Sequence, residues 1–235
     1  SLPCSYLSSL PPGAENEAVI VPLQKDAWSV VISNPGLVVD AGTESAVQHV
    51  LLPVLKARGI RLSGVLGVRR GKAECAGMEA LMKEYPEIRN PGMNGTEDPV
   101  RRWVFRPGNE LSVEDLPEPL STGIHQDRCR VLSWTCRSRR ILMIGNAGFS
   151  CLARAEKTPQ ADVLVIGRHP RDPVDSPTWI RATGARAVIF TTEYACPVPE
   201  GTAVHRLPET GVLYLKMEED GVRIIPWKGM ERRTG

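Results

Sequence analysis

A strand, a loop and a helix follow one another between Leu62 and Glu84, and this stretch decides the fold. Its centre reads Leu66-Gly67-Val68-Arg69-Arg70-Gly71-Lys72-Ala73-Glu74-Cys75-Ala76-Gly77. The apolar run over residues 62–68 is typical of a buried strand, and residues 76–84 are predicted to form the helix after the loop. The loop between them combines three cationic side chains with one carboxylate and one thiol.

Strand and helix patterns on both sides of this stretch predict an α/β fold. A helix is predicted over residues 44–58, ending at Gly59 and kinked or restarted by Pro53. Predicted strands cover residues 19–21, 28–32, 37–40, 131–134, 141–144, 163–166, 187–190, 211–217 and 222–227. Shorter helices are predicted near 149–156 and 176–183. A block rich in strands is followed by a segment in which strands and helices alternate, and the same order then occurs a second time. This order indicates two sheets with helices outside, a four-layer αββα sandwich.

The pattern predicts one domain over residues 17–230, preceded by a linker or extended N-terminal segment over residues 1–16, where Pro and Gly are frequent. Residues 87–124 are rich in Pro, Gly, Asn and Glu and read as a surface hairpin with loops. One strand-like run, residues 102–105, interrupts them.

Composition excludes few functions. A net charge of +2 neither favours nor opposes nucleic acid, and an aromatic content of 5% weakens any base-stacking surface. No run of about 18 apolar residues suggests a membrane span. The opening Ser1-Leu2-Pro3-Cys4 reads as a cut from a longer chain, which could still be a membrane protein.

Further motifs flank the loop in a fixed order. They are residues 21–27 (VPLQKDA), Asp40-Ala41-Gly42, residues 52–60 (LPVLKARGI), 142–146 (LMIGN), 162–171 (DVLVIGRHPR) and 205–214 (HRLPETGVLY). They resemble, in that order, DVGQGDA, DxG, LPYLKARGI, LLTGD, DVLKVPHHGS and R-x-TDExG-x-ITV of the C-terminal metallo-β-lactamase-like domain of ComEC-type DNA-internalisation proteins of bacteria. The loop at 70–77 is similar to the superfamily's HxDxDH(x)G loop, whose His and Asp side chains hold zinc ions that activate water.

The resemblance implies a metal site whose ligands have been replaced. The positions carry Arg70, Lys72, Glu74, Cys75, Asn146 and Arg168, with Asp26 and Asp40 left from neighbouring motifs. Of the first six, only Glu74 and Cys75 could ligate a metal well, and positive charge nearby opposes a cation. We expect no metal, no other cofactor and no catalytic residues, so the domain is predicted to be inactive rather than an enzyme.

The resemblance also implies that the loops after Val68 and Ile166 meet at one edge of the sandwich. The basic residues gathered there would bind phosphate in place of metal, and DNA without regard to its sequence. The candidates are Arg69, Arg70, Lys72, Arg168, His169 and Arg171. The alternative is that Arg70 and Arg168 pair with Asp26, Asp40 or Glu74 and fill an empty site.

Three hypotheses from different classes follow. The first is an inactive extracytoplasmic domain, periplasmic or at the cell surface, of a ComEC-like membrane protein. Its partners would be DNA and the transmembrane channel portion of the same polypeptide. The second is an atypical hydrolase or nuclease with a single-metal site made of Asp40, Glu74, Cys75 and His169. The third is a structural domain whose vestigial pocket is closed by salt bridges.

Overall fold

A computed structural model of the chain describes Leu7 and residues 10–23, 27–67, 72–88, 100–115, 130–145, 149, 157–167 and 175–227. For residues 72–74, 100, 101, 103 and 115 it describes the backbone alone.

Six strands form the first sheet. They are β1 (Glu17–Pro22), β2 (Trp28–Ile32), β3 (Leu37–Val39), β4 (Gly64–Leu66), β12 (Leu213–Met217) and β13 (Val222–Pro226). Their order across the sheet is β13-β12-β1-β2-β3-β4. β3 and β4 are parallel, with Val39 opposite Leu66, so the chain leaves both strands at the same edge.

Seven strands form the second sheet. They are β5 (Val100–Arg106), β6 (Asn109–Asp115), β7 (Arg130–Cys136), β8 (Arg139–Ile144), β9 (Val163–Ile166), β10 (Ala187–Phe190) and β11 (Ala203–Arg206). Their order is β11-β10-β9-β8-β7-β6-β5, and β8 to β11 run parallel. Ile166 lies opposite both Ile144 and Phe190, so these three strands also end at one edge.

Three clusters of buried apolar residues hold the sheets and helices together. Trp28 and Val30 of the first sheet pack with Trp134 of the second in the core between the sheets. Val31, which points the other way, packs with helical residues on the outer face of the first sheet. Leu142 packs with residues of a helix on the outer face of the second. The predicted αββα sandwich is therefore confirmed.

The helices pack in the two outer layers, except the last, whose Leu207 packs in the core between the sheets. They are α1 (Glu44–Ala46), α2 (Leu52–Ala57), α3 (Lys72–Glu84), α4 (Ser176–Thr183) and α5 (Leu207–Thr210). A π-helical turn, Val47–Leu51, joins α1 to α2, so the helix predicted over 44–58 is one helical run with a widened turn before Pro53. None of the helices within the described ranges is long and apolar enough to cross a bilayer.

Two predictions need correction. Helix α3 begins at Lys72, not after Cys75, because the segment Lys72–Glu84 is built mainly from good helix formers. The hairpin predicted between residues 87 and 124 is larger than expected and forms the edge of the second sheet. Its strand β6 buries Leu111 and Val113 between polar neighbours, the alternation of a half-buried strand. The helix predicted over 149–156 lies outside the described residues except for Phe149.

The segment before β1 packs onto the domain. Leu7 and Leu10 are buried in the helical layer of the first sheet. The guanidinium of Arg58, fully buried, donates to the Pro11 carbonyl oxygen at 3.0 Å and to Glu17 Oε2 at 3.0 Å. Arg58 therefore joins the N-terminal segment to the first strand. The domain boundary at residue 17 stays a prediction.

Candidate functional site

The carboxyl ends of the parallel strands meet at one edge of the sandwich, and Arg130 bridges them. Arg130 begins β7, beside Val131, which lies opposite Ile144 at the end of β8. Its Nη1 atom donates to the carbonyl oxygen of Gly67, which follows β4 of the other sheet, at 2.8 Å. Arg130 is only 4% exposed, so a positive charge is buried between the two sheets at this edge.

A buried carboxyl lies at the same edge. Asp40 follows β3, has no exposed surface, and takes a positive φ of 57°. Its backbone N–H donates to the Leu66 carbonyl oxygen at 2.7 Å, which holds the turn against β4. Asp is one of the few residues with a side chain that tolerates the left-handed region. The sequence therefore places an acid where the backbone turns sharply.

Helix α3 is held against the turn that begins at Asp40. A Cβ atom on Gly77 would lie 2.1 Å from the carbonyl oxygen of Gly42 and 2.7 Å from its carbonyl carbon. Gly42 itself has a φ of 67°, and a Cβ there would lie 2.6 Å from Leu23 Cδ1. Glycine at both positions lets α3 approach closely, which brings the N-terminal end of the helix toward the edge.

Cys75 is the one side chain described in the first turn of α3. Cys75 is a free, half-buried thiol that packs against the apolar cluster of the helical layer. Lys72 and Glu74 lie in the first turn of α3, where only the backbone is described. Cys75 therefore packs as a small apolar side chain.

Two threonines that sequence reasoning missed close the end of β9. The backbone N–H and the hydroxyl of Thr191 both donate to the Ile166 carbonyl oxygen, at 3.1 and 3.3 Å. The Thr192 hydroxyl is buried and has no hydrogen-bond partner within the described part of the chain. Both follow the apolar run of β10. A polar pair directly after a buried strand could have identified them from the sequence as residues at the strand edge. They add neutral oxygen atoms to an edge where Arg130 supplies positive charge.

Most of the predicted site lies outside the described residues. This applies to Asp26, Arg69, Arg70, Asn146, Arg168, His169 and Arg171. The structure places Asp40 at the edge, and it places Cys75 in the first turn of α3. Arg130 was not predicted, although a charged residue directly before the apolar run of β7 was visible.

The described residues do not by themselves supply the ligands of a catalytic zinc ion. Such ions take three protein ligands, from His, Cys, Asp or Glu, and keep one open position. Within the ranges that the structure describes, no group of three such residues could hold a metal. At this edge the described part of the chain offers the buried Asp40 carboxyl and, from the other sheet, the buried Arg130 guanidinium, whose charge opposes a divalent cation.

No protein-family model matches the chain, and no curated protein does. Three solved structures are similar to it. One is a zinc-dependent hydrolase of the metallo-beta-lactamase superfamily from Thermotoga maritima, with 9% identity, a TM-score of 0.41 and coverage of 82% of this chain and 83% of that one. The metallo-beta-lactamase fold protein YhfI from Bacillus subtilis has 12% identity, a TM-score of 0.47 and coverage of 81% and 96%. The metallo hydrolase Igni18 from Ignicoccus hospitalis has 11% identity, a TM-score of 0.38 and coverage of 90% and 100%.

Proposed function

We propose that this chain is a catalytically inactive metallo-β-lactamase-like domain of a ComEC-like DNA-uptake protein, and that it binds DNA phosphates at the carboxyl edge of its strands. The observation that carries the proposal is the buried guanidinium of Arg130, bonded to the Gly67 carbonyl at that edge. The domain would lie outside the cytoplasm and act beside the transmembrane channel portion of the same polypeptide.

Charge favours this proposal over metal catalysis. Positive charge at this edge opposes a dication. The basic side chains predicted around this edge would attract phosphate instead, and arginine is suited to it because its planar fork of donors matches phosphate oxygens. Arg69, Arg70 and Lys72 follow Gly67 in sequence, and Arg168, His169 and Arg171 follow Gly167. The motif positions of these residues support a basic surface around the edge.

DNA binding would be independent of sequence. Contacts to the phosphate backbone release counterions, so affinity falls steeply with salt. For single strands, the logarithm of the binding constant falls by about 0.7 per contact for each ten-fold increase in salt concentration. The low aromatic content argues against recognition by base stacking. Incoming DNA of any sequence would therefore be held equally well, as uptake requires.

The experiment measures binding of a labelled single-stranded oligonucleotide by fluorescence anisotropy over a range of salt concentrations. The double variant Arg70→Ala/Arg168→Ala should bind more weakly, with a salt slope shallower by about 1.4. The matched control is Arg102→Ala/Arg223→Ala, which removes the same charge from two exposed arginines elsewhere. Equal losses in the two double variants, or no salt-dependent binding, would overturn the proposal.

A structural domain without a ligand is the second candidate, because Arg130 is already used in holding the two sheets together. Under that reading Arg70 and Arg168 would close the old pocket through Asp26, Asp40 or Glu74. The same variants separate the two readings. Loss of stability without loss of DNA affinity favours the structural domain, and the reverse favours DNA binding.

A further inference from the structure

A polar cleft of about 450 Å³ lies on the second sheet, at the edge opposite to the candidate site. Its lining includes Thr135, Ser138, Arg140, Gln160, Asp162 and Thr183. These side chains offer hydroxyls, an amide, a carboxylate and a guanidinium, and polar atoms supply somewhat more of the lining than apolar atoms do. The cleft is found at the beginnings of β8 and β9, whereas the candidate site is at their ends.

The strand register sets two arginines on either side of Asp162. The Asp162 N–H donates to the Arg140 carbonyl oxygen at 2.8 Å, and the Arg186 N–H donates to the Asp162 carbonyl oxygen at 3.0 Å. The next residue of each strand is buried between the sheets, as Val163 shows. Because side chains alternate along a strand, Arg140, Asp162 and Arg186 face the outer helical layer, where Gly184 ends α4.

The guanidinium of Arg140 is held loosely. Its Nε atom lies 3.4 Å from Thr135 Oγ1, and its Nη1 atom lies 3.5 Å from the Gln160 carbonyl oxygen, both at the limit of hydrogen bonding. The Asp162 carboxylate accepts instead from the Arg140 backbone N–H at 2.8 Å and from Arg139 Nη1 at 3.4 Å.

The charges around the cleft therefore do not balance. Arg139 pairs with Asp162. Neither Arg140 nor Arg186 makes an ion pair with any carboxylate in the part of the chain that the structure describes. The Arg140 guanidinium lines a cleft that also has hydroxyl donors, and Arg186 lies on the adjoining strand, a combination that attracts an oxyanion.

We propose that this cleft binds the phosphate group of a small organic phosphate. Arg140 would contact the phosphate oxygens, with the hydroxyls of Thr135 and Ser138 as further donors, and Arg186 would add positive charge. Ligand pockets commonly measure about 300–1,000 Å³, so the cleft has room for a ligand the size of a nucleoside monophosphate. The site stands apart from the proposed function, because it lies at the other end of the strands.

One glycine leaves the cleft open. Gly184 has a φ of 72°, and a Cβ there would lie 3.2 Å from Gln160 Oε1. The Gln160 amide in turn donates to the Ala182 carbonyl oxygen at 2.9 Å, which ties the wall of the cleft to the end of α4. The cleft is thus bounded by a helix end and a sheet edge whose positions are fixed by hydrogen bonds.

The test is calorimetric titration of the full chain with inorganic phosphate and with thymidine 5′-monophosphate, using thymidine as the phosphate-free control. Both phosphates should bind at one saturable site, and thymidine should bind at least about ten-fold more weakly than its monophosphate. Arg140→Ala should weaken phosphate binding by about ten-fold or more, since it removes a charge-assisted contact. Arg137→Ala, which removes an exposed charge from the same hairpin, should change it by less than about two-fold.

A second variant tests the site without truncating an arginine. Gln160→Glu keeps the side-chain shape, places another carboxylate on the cleft and loses the exposed bond to the Ala182 carbonyl oxygen. Phosphate binding should be lost, while the melting temperature should fall by only about 2–4 °C. The proposal is overturned if phosphate binding is not saturable, if thymidine binds as tightly as its monophosphate, or if Arg137→Ala weakens binding as much as Arg140→Ala. Unchanged binding in Gln160→Glu overturns it as well.

Discussion

The Nη1 atom of Arg130 lies 2.8 Å from the carbonyl oxygen of Gly67, so an arginine of one sheet caps the end of a strand in the other. The two residues are 63 positions apart in the chain. Since Arg130 is buried, this bond is made away from water, where an unpaired carbonyl or guanidinium is costly. The contact joins the two sheets at the edge proposed to bind DNA.

Replacing Arg130 with methionine should lower the free energy of unfolding by about 3 kcal/mol, because the Gly67 carbonyl loses a charged donor in a buried setting. Urea denaturation followed by circular dichroism measures this. The exposed Arg102→Ala variant serves as control and should lose less than about 1 kcal/mol. Equal, small losses in both variants would show that the bond to Gly67 contributes little.

Replacing Gly77 with alanine should also destabilise the fold, by about 3 kcal/mol, although alanine favours a helix by about 1 kcal/mol. The added Cβ would meet the Gly42 carbonyl group, which is backbone and cannot rotate away. The control is Gly221→Ala, where a Cβ meets nothing within 4 Å. Thermal unfolding of the two variants gives the comparison. A Gly77→Ala protein as stable as the parent would mean that α3 does not pack closely on Asp40-Ala41-Gly42.

Arg58→Met should detach the N-terminal segment. The variant removes three hydrogen bonds, to Pro11, Glu17 and Ser33, and a cation–π contact 4.9 Å from the centre of the Tyr214 ring. The expected loss is about 3 kcal/mol. Hydrogen exchange should rise first at the backbone of residues 10–17, where Gly13 N–H donates to the Arg58 carbonyl at 2.9 Å.

Lys216→Ala provides the matched control for Arg58. Its Nζ atom is 3.9 Å from Glu17 Oε1, but 39% of its side chain is exposed, so the loss should stay below about 0.5 kcal/mol. If Arg58→Met leaves exchange at residues 10–17 unchanged, the segment is held by Leu7 and Leu10 instead.

His205 should make stability depend on pH. Burial lowers the pKa of this imidazole below its ordinary value of 6.5. The unfolded chain therefore takes up a proton at a pH where the folded chain does not, and stability falls as the pH drops through 6.5 toward the folded pKa. The measurement is urea denaturation at pH 7.5 and pH 5.5.

His205→Gln removes the titrating group and should show a smaller loss of stability between these two pH values. His49→Gln is the control, since His49 is an exposed histidine on the π-helical turn. A histidine effect is contradicted if His205→Gln and the parent protein lose the same stability on acidification.

The layers of the fold could be predicted because alternation along strands is a local signal. Val30 faces the other sheet and Val31 faces the helices. Adjacent apolar residues with opposite directions are expected in a strand that is buried on both sides. The same local signal was missed in β6, where the charged residues Glu110, Glu114 and Asp115 around Leu111 and Val113 suggested a loop.

The site was harder to predict because its contacts are made between distant parts of the chain. Asp40 was visible as an acid that ends an apolar strand. The bond from Arg130 to Gly67 was not, since no pattern in a sequence gives the distance between two strand ends in different sheets. The packing of Cys75 on the helical layer likewise depends on where α3 begins, and helix boundaries are weakly encoded.

Metal content tests the central claim most directly. The full chain, purified without chelator and dialysed against zinc and then manganese, would be analysed by inductively coupled plasma mass spectrometry. If a buried guanidinium stands where a divalent ion would need negative ligands, both metals should stay well below one ion per chain. One tightly held ion per chain, lost on replacing Asp40 with alanine, would contradict the account and favour a working hydrolase.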